Sequence, residues 1–225
     1  MLTNILPKQA IYIGAKAPNF QAMSSLGPID FYRYTQGKWC VFFSHPADFT
    51  PICTTEIGAF GALQDEFTNR NCVLLGLSTN NKASHVRWIQ DIEAITGISI
   101  TFPIVCDEEK KVATQFSMID LNALTSGAPE LTPLRTVYII DPNKVVRLIH
   151  MYPLSTGRNT AEVLRCLDSL QLVYKTDGKI MTPINWIPGD DIVVVPDPET
   201  VKQFPHRRTI RDYLQLSPLD PNSLD

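Results

Sequence analysis

Five cysteines and four histidines are the side chains of this sequence best suited to covalent or acid–base chemistry, and spacing separates one of them from the rest. The cysteines stand at 40, 53, 72, 106 and 166, without a CxxC pair, a zinc-ligand spacing or a dense disulfide framework. Cys53 lies in "SHPADFTPICTTE". There Thr50 is a helix-capping type and Pro51 suits a first helical position, where a missing amide hydrogen does no harm. Cys53 then occupies the third helical position, which a capping box fills with Glu or Gln. A sulfur at that point faces free backbone amides and the positive end of the helix dipole, within reach of the Thr50 hydroxyl. Such a setting favours a nucleophilic thiolate. The competing reading of any free cysteine is a small core hydrophobe. That reading fits Cys40 in "WCVFF", Cys72 opening "CVLLGL", Cys106 ending "FPIVC" and Cys166 in the closing helix.

The elements that must position Cys53 follow from pattern. "WCVFFSHP" is a continuous apolar run ended by His-Pro, as in a strand buried on both faces. Ile57, Phe60, Leu63 and Phe67 recur at helical spacing, predicting a helix over 51–68. "CVLLGLST" predicts a second buried strand. "KASHVRWIQDIEAITG" predicts a helix with Val86, Ile89, Ile92 and Ile95 inward and Gly97 as its stop. "FPIVCD" is a third strand, "EEKKVATQFSM" a short helix, and "NALTSGAPELTP" a loop. "RTVYIID", the turn "DPNK" and "VVRLIHMYP" form a hairpin, after which "TAEVLRCLDSLQLV" is an amphipathic helix with Val163, Leu164, Leu167 and Leu170 inward. Crossovers first, then a hairpin and a closing helix, describe an α/β fold of thioredoxin-like order: a mixed central sheet with flanking helices. We expect this domain to span residues 1–174. Beyond it, 7 of the 17 prolines fall in residues 181–225, so residues 175–225 are expected to form a small C-terminal extension without a deep core.

Composition is that of an ordinary globular protein, with 44% hydrophobic and 19% charged residues. With 20 Lys+Arg against 23 Asp+Glu and no basic block, nucleic acid is not an expected partner. No run approaches the ~18 apolar residues of a membrane span, and the first residues lack the layout of a secretory signal. An untargeted cytoplasmic protein is therefore expected, with an odd cysteine count that suits a reducing compartment. The histidines at 45, 85, 150 and 206 have no ligand spacing, so neither a metal nor another cofactor is expected.

Pro46, Thr50 and Cys53 fit Pro-x-x-x-Thr/Ser-x-x-Cys, and "FSHPADFTPICTTE" resembles the active-site segment of peroxiredoxins. Together with "STGRN" and "TPINW", the likeness extends over nearly the whole chain and is to the 1-Cys, peroxiredoxin-6-like subfamily. The resemblance implies an AhpC/TSA-type thiol peroxidase with an antioxidant role, reducing hydrogen peroxide and organic hydroperoxides through Cys53, which becomes a sulfenic acid. It further implies that Thr50 holds the thiolate and the peroxide, Pro46 covers the pocket, and Arg135 supplies fixed positive charge as the O–O bond breaks. Glu56 would link Arg135 to Arg158. His45 would either hydrogen-bond near the guanidinium or simply close its strand.

No cysteine follows Cys166, so a C-terminal resolving thiol is missing and the electrons must come from an external reductant: glutathione, thioredoxin, ascorbate or another small thiol. Some relatives carry a separate phospholipase triad, but the corresponding positions here read Lys38, Tyr32 and Asn143, so that activity is not carried over. The rival classes are a redox sensor or chaperone-like scaffold using the same Cys53, which would stop after one equivalent of peroxide, and a Cys-His hydrolase, for which no signature is present. The resemblance also implies a homodimer in which the extension crosses to the partner. The alternative is a tail folded on its own subunit.

Overall fold

A computed structural model describes residues 11–120 and 131–219. Most of the loop expected at 122–133 lies outside the described residues. Contacts divide the chain into two compact units, residues 1–160 and 161–225.

The first unit runs β1 (Gln21–Ser24), β2 (Gly27–Asp30), α1 (Phe31–Tyr34), β3 (Trp39–Ser44), α2 (Pro51–Ala62), α3 (Gln64–Asn69), β4 (Cys72–Ser78), α4 (Lys82–Thr96), β5 (Ile104–Cys106), α5 (Lys111–Gln115), β6 (Arg135–Ile140) and β7 (Val146–Tyr152). These strands form a seven-stranded mixed sheet in the order β2-β1-β5-β4-β3-β6-β7. β3 lies parallel to β4, to which a helical crossover leads, and antiparallel to β6. Every residue of β3 is buried, as its continuous apolar run requires. Alternation then assigns its aromatics to opposite faces. Phe42 packs against Phe20, Phe31 and Phe116, while Phe43 stacks on Phe60 of α2 with ring centroids 4.2 Å apart and meets Phe102 edge-on.

Two expected helices differ in detail. The one expected over 51–68 is two, because the chain leaves helical geometry at Leu63, whose amide turns back to the Phe60 and Gly61 carbonyls. Gly61 allows a close approach here, since a Cβ on it would collide with the Ile100 side chain. Helix α4 begins where Asn81 accepts from the Ser84 amide and ends at left-handed Gly97 (φ 70°), as expected. Its buried face is different: His85, Trp88 and Ile92 point inward, whereas Val86 and Ile95 are exposed. An aliphatic count misplaces the face because His85 and Trp88 each find a partner for the polar tip, Asp48 and the Thr54 hydroxyl respectively.

The second unit comprises most of α6 (Thr160–Lys175), then β8 (Ile180–Met181), β9 (Ile192–Val194), α7 (Pro198–Gln203), β10 (Arg208–Arg211) and β11 (Leu214–Ser217), with a four-stranded sheet ordered β10-β11-β9-β8. The division thus falls earlier than the expected 174/175 boundary, and the reason is packing. Leu172 joins Ile180, Trp186, Ile192 and Val194 in one apolar cluster, Arg165 donates to the Trp186 carbonyl (3.2 Å), and Ser169 bonds Thr182 (2.6 Å). The extension therefore has a small core of its own. On α6 the buried residues are Val163, Cys166, Leu167 and Leu172, with Leu164 and Leu170 only half-buried.

Candidate active site

The chain leaves the middle of the sheet at Ser44, crosses the loop 45–50 and enters α2, which puts Cys53 in the first helical turn and fully buried. Thr50 has the extended backbone of an N-cap (φ −107°, ψ 145°), and its carbonyl accepts from the Thr54 amide at 3.0 Å. Its hydroxyl does not cap. It donates instead to the Ala47 carbonyl (3.0 Å), closing the loop after Phe49 has turned the chain at φ 56°. The hydroxyl oxygen keeps lone pairs for another donor. Pro46 is half-buried in the same loop.

Arg135 opens β6, whose start is pinned to the end of β3 by two bonds on the Ser44 hydroxyl, one given to the Leu134 carbonyl (2.6 Å) and one taken from the Thr136 amide (3.2 Å). This brings Arg135 Nη1 to 3.3 Å from Cys53 Sγ, the sole hydrogen-bond partner of that sulfur among the described residues. The same nitrogen donates to Glu56 Oε2 (2.7 Å), and Nε donates to the Leu154 carbonyl (2.8 Å). Glu56 stands one turn after Cys53 on α2 and is also gripped by Arg158. The Arg158 backbone amide and Nε reach Oε1 (2.9 Å each), and Nη2 reaches Oε2 (2.7 Å). Arg158 Nη1 donates to the Ser44 and Thr136 carbonyls, and its guanidinium lies over the stacked rings of Phe43 and Phe60. Burial would raise the Glu56 pKa, but the hydrogen bonds and charge of Arg158, with the charge of Arg135, hold it below the usual carboxylate range. Two cations thus share one anion beneath the sulfur, leaving net positive charge there.

On the other side of the loop is a group the sequence does not reveal. His45 and His85, both fully buried, converge on Asp48: His45 Nε2 lies 3.0 Å from Oδ1, and His85 Nδ1 lies 3.0 and 2.8 Å from the two carboxylate oxygens. Ser84 Oγ donates to Oδ2 (2.7 Å), and the Asp48 amide donates to Asn80 (3.0 Å). Burial would raise the Asp48 pKa, but its histidine bonds pull it far below the usual range. Burial lowers His45, while His85, with burial opposed chiefly by its bonds to Asp48, is pushed up to about 9. Of the two readings of His45, a hydrogen bond near the guanidinium and a histidine that closes its strand, no bond to Arg135 is found among the described residues. His45 Nε2 goes to Asp48, and its Nδ1 has no hydrogen-bond partner among the described residues. Ligand atoms of His45, Asp48 and His85 all lie within 4.8 Å of one another, close enough to hold a metal ion, and the same distances suit shared protons. The separation of forty positions between the two histidines conceals this. The legible signal is the His-Pro-Ala-Asp spacing, with a second histidine on the helix after the next strand.

A model of the AhpC/TSA family matches residues 13–149. The chain belongs to that family, the peroxiredoxins. Peroxiredoxin PRX1, mitochondrial, of Saccharomyces cerevisiae is 44% identical, with 91% of this chain and 80% of the relative covered. The 1-Cys peroxiredoxin of Dictyostelium discoideum is 41% identical, with 93% and 86% covered. Among solved structures, a mutant of peroxiredoxin 6 from Arenicola marina superposes with a TM-score of 0.87 at 37% identity, covering 94% of this chain and all of that one. The fold is accordingly the thioredoxin-like fold of peroxiredoxins, and this peroxiredoxin is a thiol peroxidase of the 1-Cys type. All five cysteines are free.

In this peroxiredoxin the structure brings Cys53, Arg135, Glu56 and Arg158 into one bonded group, with Thr50 and Pro46 in the loop that leads to it. His45 belongs to the separate Asp48 group. At the phospholipase positions Lys38 has no hydroxyl to act as a nucleophile and the Tyr32 hydroxyl donates to the Ala17 carbonyl. No helix among the described residues is long and apolar enough to cross a membrane.

Proposed function

We infer that Cys53 is the peroxidatic residue and that glutathione or thioredoxin restores it. The observation that carries the first part is Arg135 Nη1, 3.3 Å from Cys53 Sγ and tied at 2.7 Å to Glu56. The sulfur anion attacks one peroxide oxygen, the O–O bond breaks with its electron pair on the leaving oxygen, and that oxygen departs as water or alcohol after taking a proton. Charge grows on the leaving oxygen, and a guanidinium already fixed in place stabilises it without reorganising. Thr50, whose hydroxyl proton is committed to Ala47, accepts a hydrogen bond from the incoming peroxide and orients it. Pro46 limits water in the same loop. The sulfenic acid then condenses with an external thiol to a mixed disulfide, losing water, and a second thiol releases Cys53 as the reductant disulfide forms.

The reductant reading is supported by a solved structure of the yeast mitochondrial 1-Cys peroxiredoxin, TM-score 0.83 and 41% identical, whose subject is thiol resolution via the glutathione/thioredoxin systems. Peroxide consumption should continue for many turnovers when glutathione or thioredoxin, each with its reductase, is supplied. Arrest after one equivalent with both donors would sink the donor assignment and favour a sensor.

A homodimer is the second part of the reading, with the C-terminal extension taking part in it. Exposed apolar residues of the extension, Ile184, Ile187 and Tyr213, are material for such a contact. The full chain should sediment as a dimer, and truncation before Ala161 should weaken it. A truncated chain with unchanged dimerisation would exclude a role for the extension.

A further inference from the structure

The loop that carries Thr50 is held from outside the Cys53 group, through Asp48. This residue lies inside the turn that the Thr50 hydroxyl closes on the Ala47 carbonyl, next to Phe49 at φ 56°. A left-handed backbone is unfavourable for a bulky side chain and persists only where the surroundings over-determine it. Asp48 supplies that constraint. Its side chain is fully buried, and both oxygens are used: Oδ1 by His45 Nε2 and His85 Nδ1, Oδ2 by His85 Nδ1 and the Ser84 hydroxyl. Its amide donates to Asn80 Oδ1, which the Ser78 hydroxyl also reaches at 3.1 Å. Helix α4 makes a second attachment on the far side of Thr50. Trp88, one turn after Ser84, donates from Nε1 to the Thr54 hydroxyl (3.1 Å), which donates to the Thr50 carbonyl (2.8 Å), and its indole packs on the His45 ring at 5.0 Å. Ser84, His85 and Trp88 share one face of α4, so that face grips the chain on both sides of Thr50. The sulfur of Cys53 is bonded to Arg135 and to none of these groups among the described residues, so they act on the loop and not on the reacting atom.

We propose that Asp48 is a positioning residue of the peroxidase reaction: anchored to α4, it fixes the 47–50 turn so that the Thr50 oxygen presents its free lone pairs to the incoming peroxide. This rests on Cys53 as the reacting sulfur and on Thr50 as the acceptor that orients the peroxide. With the anchor loosened, Phe49 relaxes towards negative φ and the Ala47 carbonyl moves off the Thr50 hydroxyl. That hydroxyl then turns to other acceptors, the peroxide oxygens among them. The peroxide is held in more than one orientation, and fewer encounters bring its O–O bond into line with the sulfur. Ser84 acts one step further out, by holding the carboxylate that holds the turn.

The test is single-turnover reaction of the full chain with hydrogen peroxide, followed by stopped flow, with unfolding midpoints measured alongside. Asp48→Asn keeps the size but offers one acceptor oxygen where the carboxylate offers two, and it should slow the second-order rate about thirtyfold. Ser84→Ala, a milder change at a half-buried position, carries the test if that chain does not fold. It should cost about fivefold with a midpoint near that of the parent, and Ser84→Thr, which restores the hydroxyl, should return the parental rate. A hydroxyl that served only the fold would move the midpoint and leave the rate alone. In a Thr50→Val background, with no hydroxyl left to orient, Ser84→Ala should cost less than about twofold. An equal cost with and without the Thr50 hydroxyl, or a parental rate in Ser84→Ala, would overturn the proposal and leave Cys53 as the reacting sulfur. Peroxide consumption by a Cys53→Ser chain at the parental rate would instead overturn the reading beneath it.

Discussion

Replacing Cys53 by serine should reduce peroxide consumption to the uncatalysed background, a loss of at least about a thousandfold in kcat/KM, equivalent to ~4 kcal/mol of transition-state stabilisation. Serine fits the space, so the fold should persist, with an unfolding midpoint near that of the parent. What disappears is chemistry. A hydroxyl remains protonated at neutral pH and no general base among the described residues contacts it, since the hydrogen-bond partner of Cys53 there is a guanidinium. Arg135 can stabilise an anion but cannot take a proton from an alcohol. Serine at 40, 72, 106 or 166 should leave most of the activity, because none of those sulfurs is bonded to Arg135. Stopped-flow consumption of hydrogen peroxide, with reductant in excess, checks both halves. Substantial turnover by the Cys53→Ser chain would refute the mechanism, whatever the other four variants did.

Local physics makes Cys53 legible in the sequence itself. A capping type, a proline at the first helical position and a sulfur at the third all refer to backbone geometry within four residues, and α2 begins at Pro51 as that reading requires. Arg135 cannot be located in this way. Its approach depends on β6 lying antiparallel to β3 in one register, a long-range pairing that no window of sequence contains, so only the resemblance to peroxiredoxins points to it. The Thr50 hydroxyl shows the reverse case. The residue type correctly implies an N-cap, but the positive φ at Phe49 and the waiting Ala47 carbonyl give the hydroxyl a different partner. His85 escapes for a further reason: periodicity scores it as polar and turns the helix by its aliphatic residues, although a buried carboxylate makes this histidine part of the interior. In each of these cases the missing information is the identity of the partner, which sequence patterns do not carry.

Glu56→Gln should be the most damaging change that leaves the reacting sulfur intact. The side chains of Arg135, Arg158 and Glu56 are 4%, 0% and 3% exposed, so the carboxylate is the shared counter-charge of two guanidinium groups with almost no help from water. Glutamine keeps the size but loses the charge, and whichever way its amide turns, an NH2 group faces arginine donors. Two uncompensated buried cations should cost about 3–5 kcal/mol of stability. Acid should act in the same direction on the parent chain. Because the folded-state pKa of Glu56 lies below its ordinary value, its contribution is complete above that ordinary value and is lost as the pH falls through the depressed one. Urea unfolding followed from neutral to acid pH should therefore show the Gln variant weaker at neutrality, with the gap to the parent narrowing as the parent's carboxylate is protonated. A constant gap would show that the charge of Glu56 is not what stabilises the fold. Activity measured where the variant is still folded should separate the second role of this residue. Arg135 Nη1 reaches both Glu56 and the sulfur, so releasing it from Oε2 lets the guanidinium move off Cys53, with an expected loss of about a hundredfold in kcat/KM. Stability lost with full activity retained would mean that the bond to Leu154 alone holds Arg135 on the sulfur, and that Glu56 serves the fold without serving the reaction.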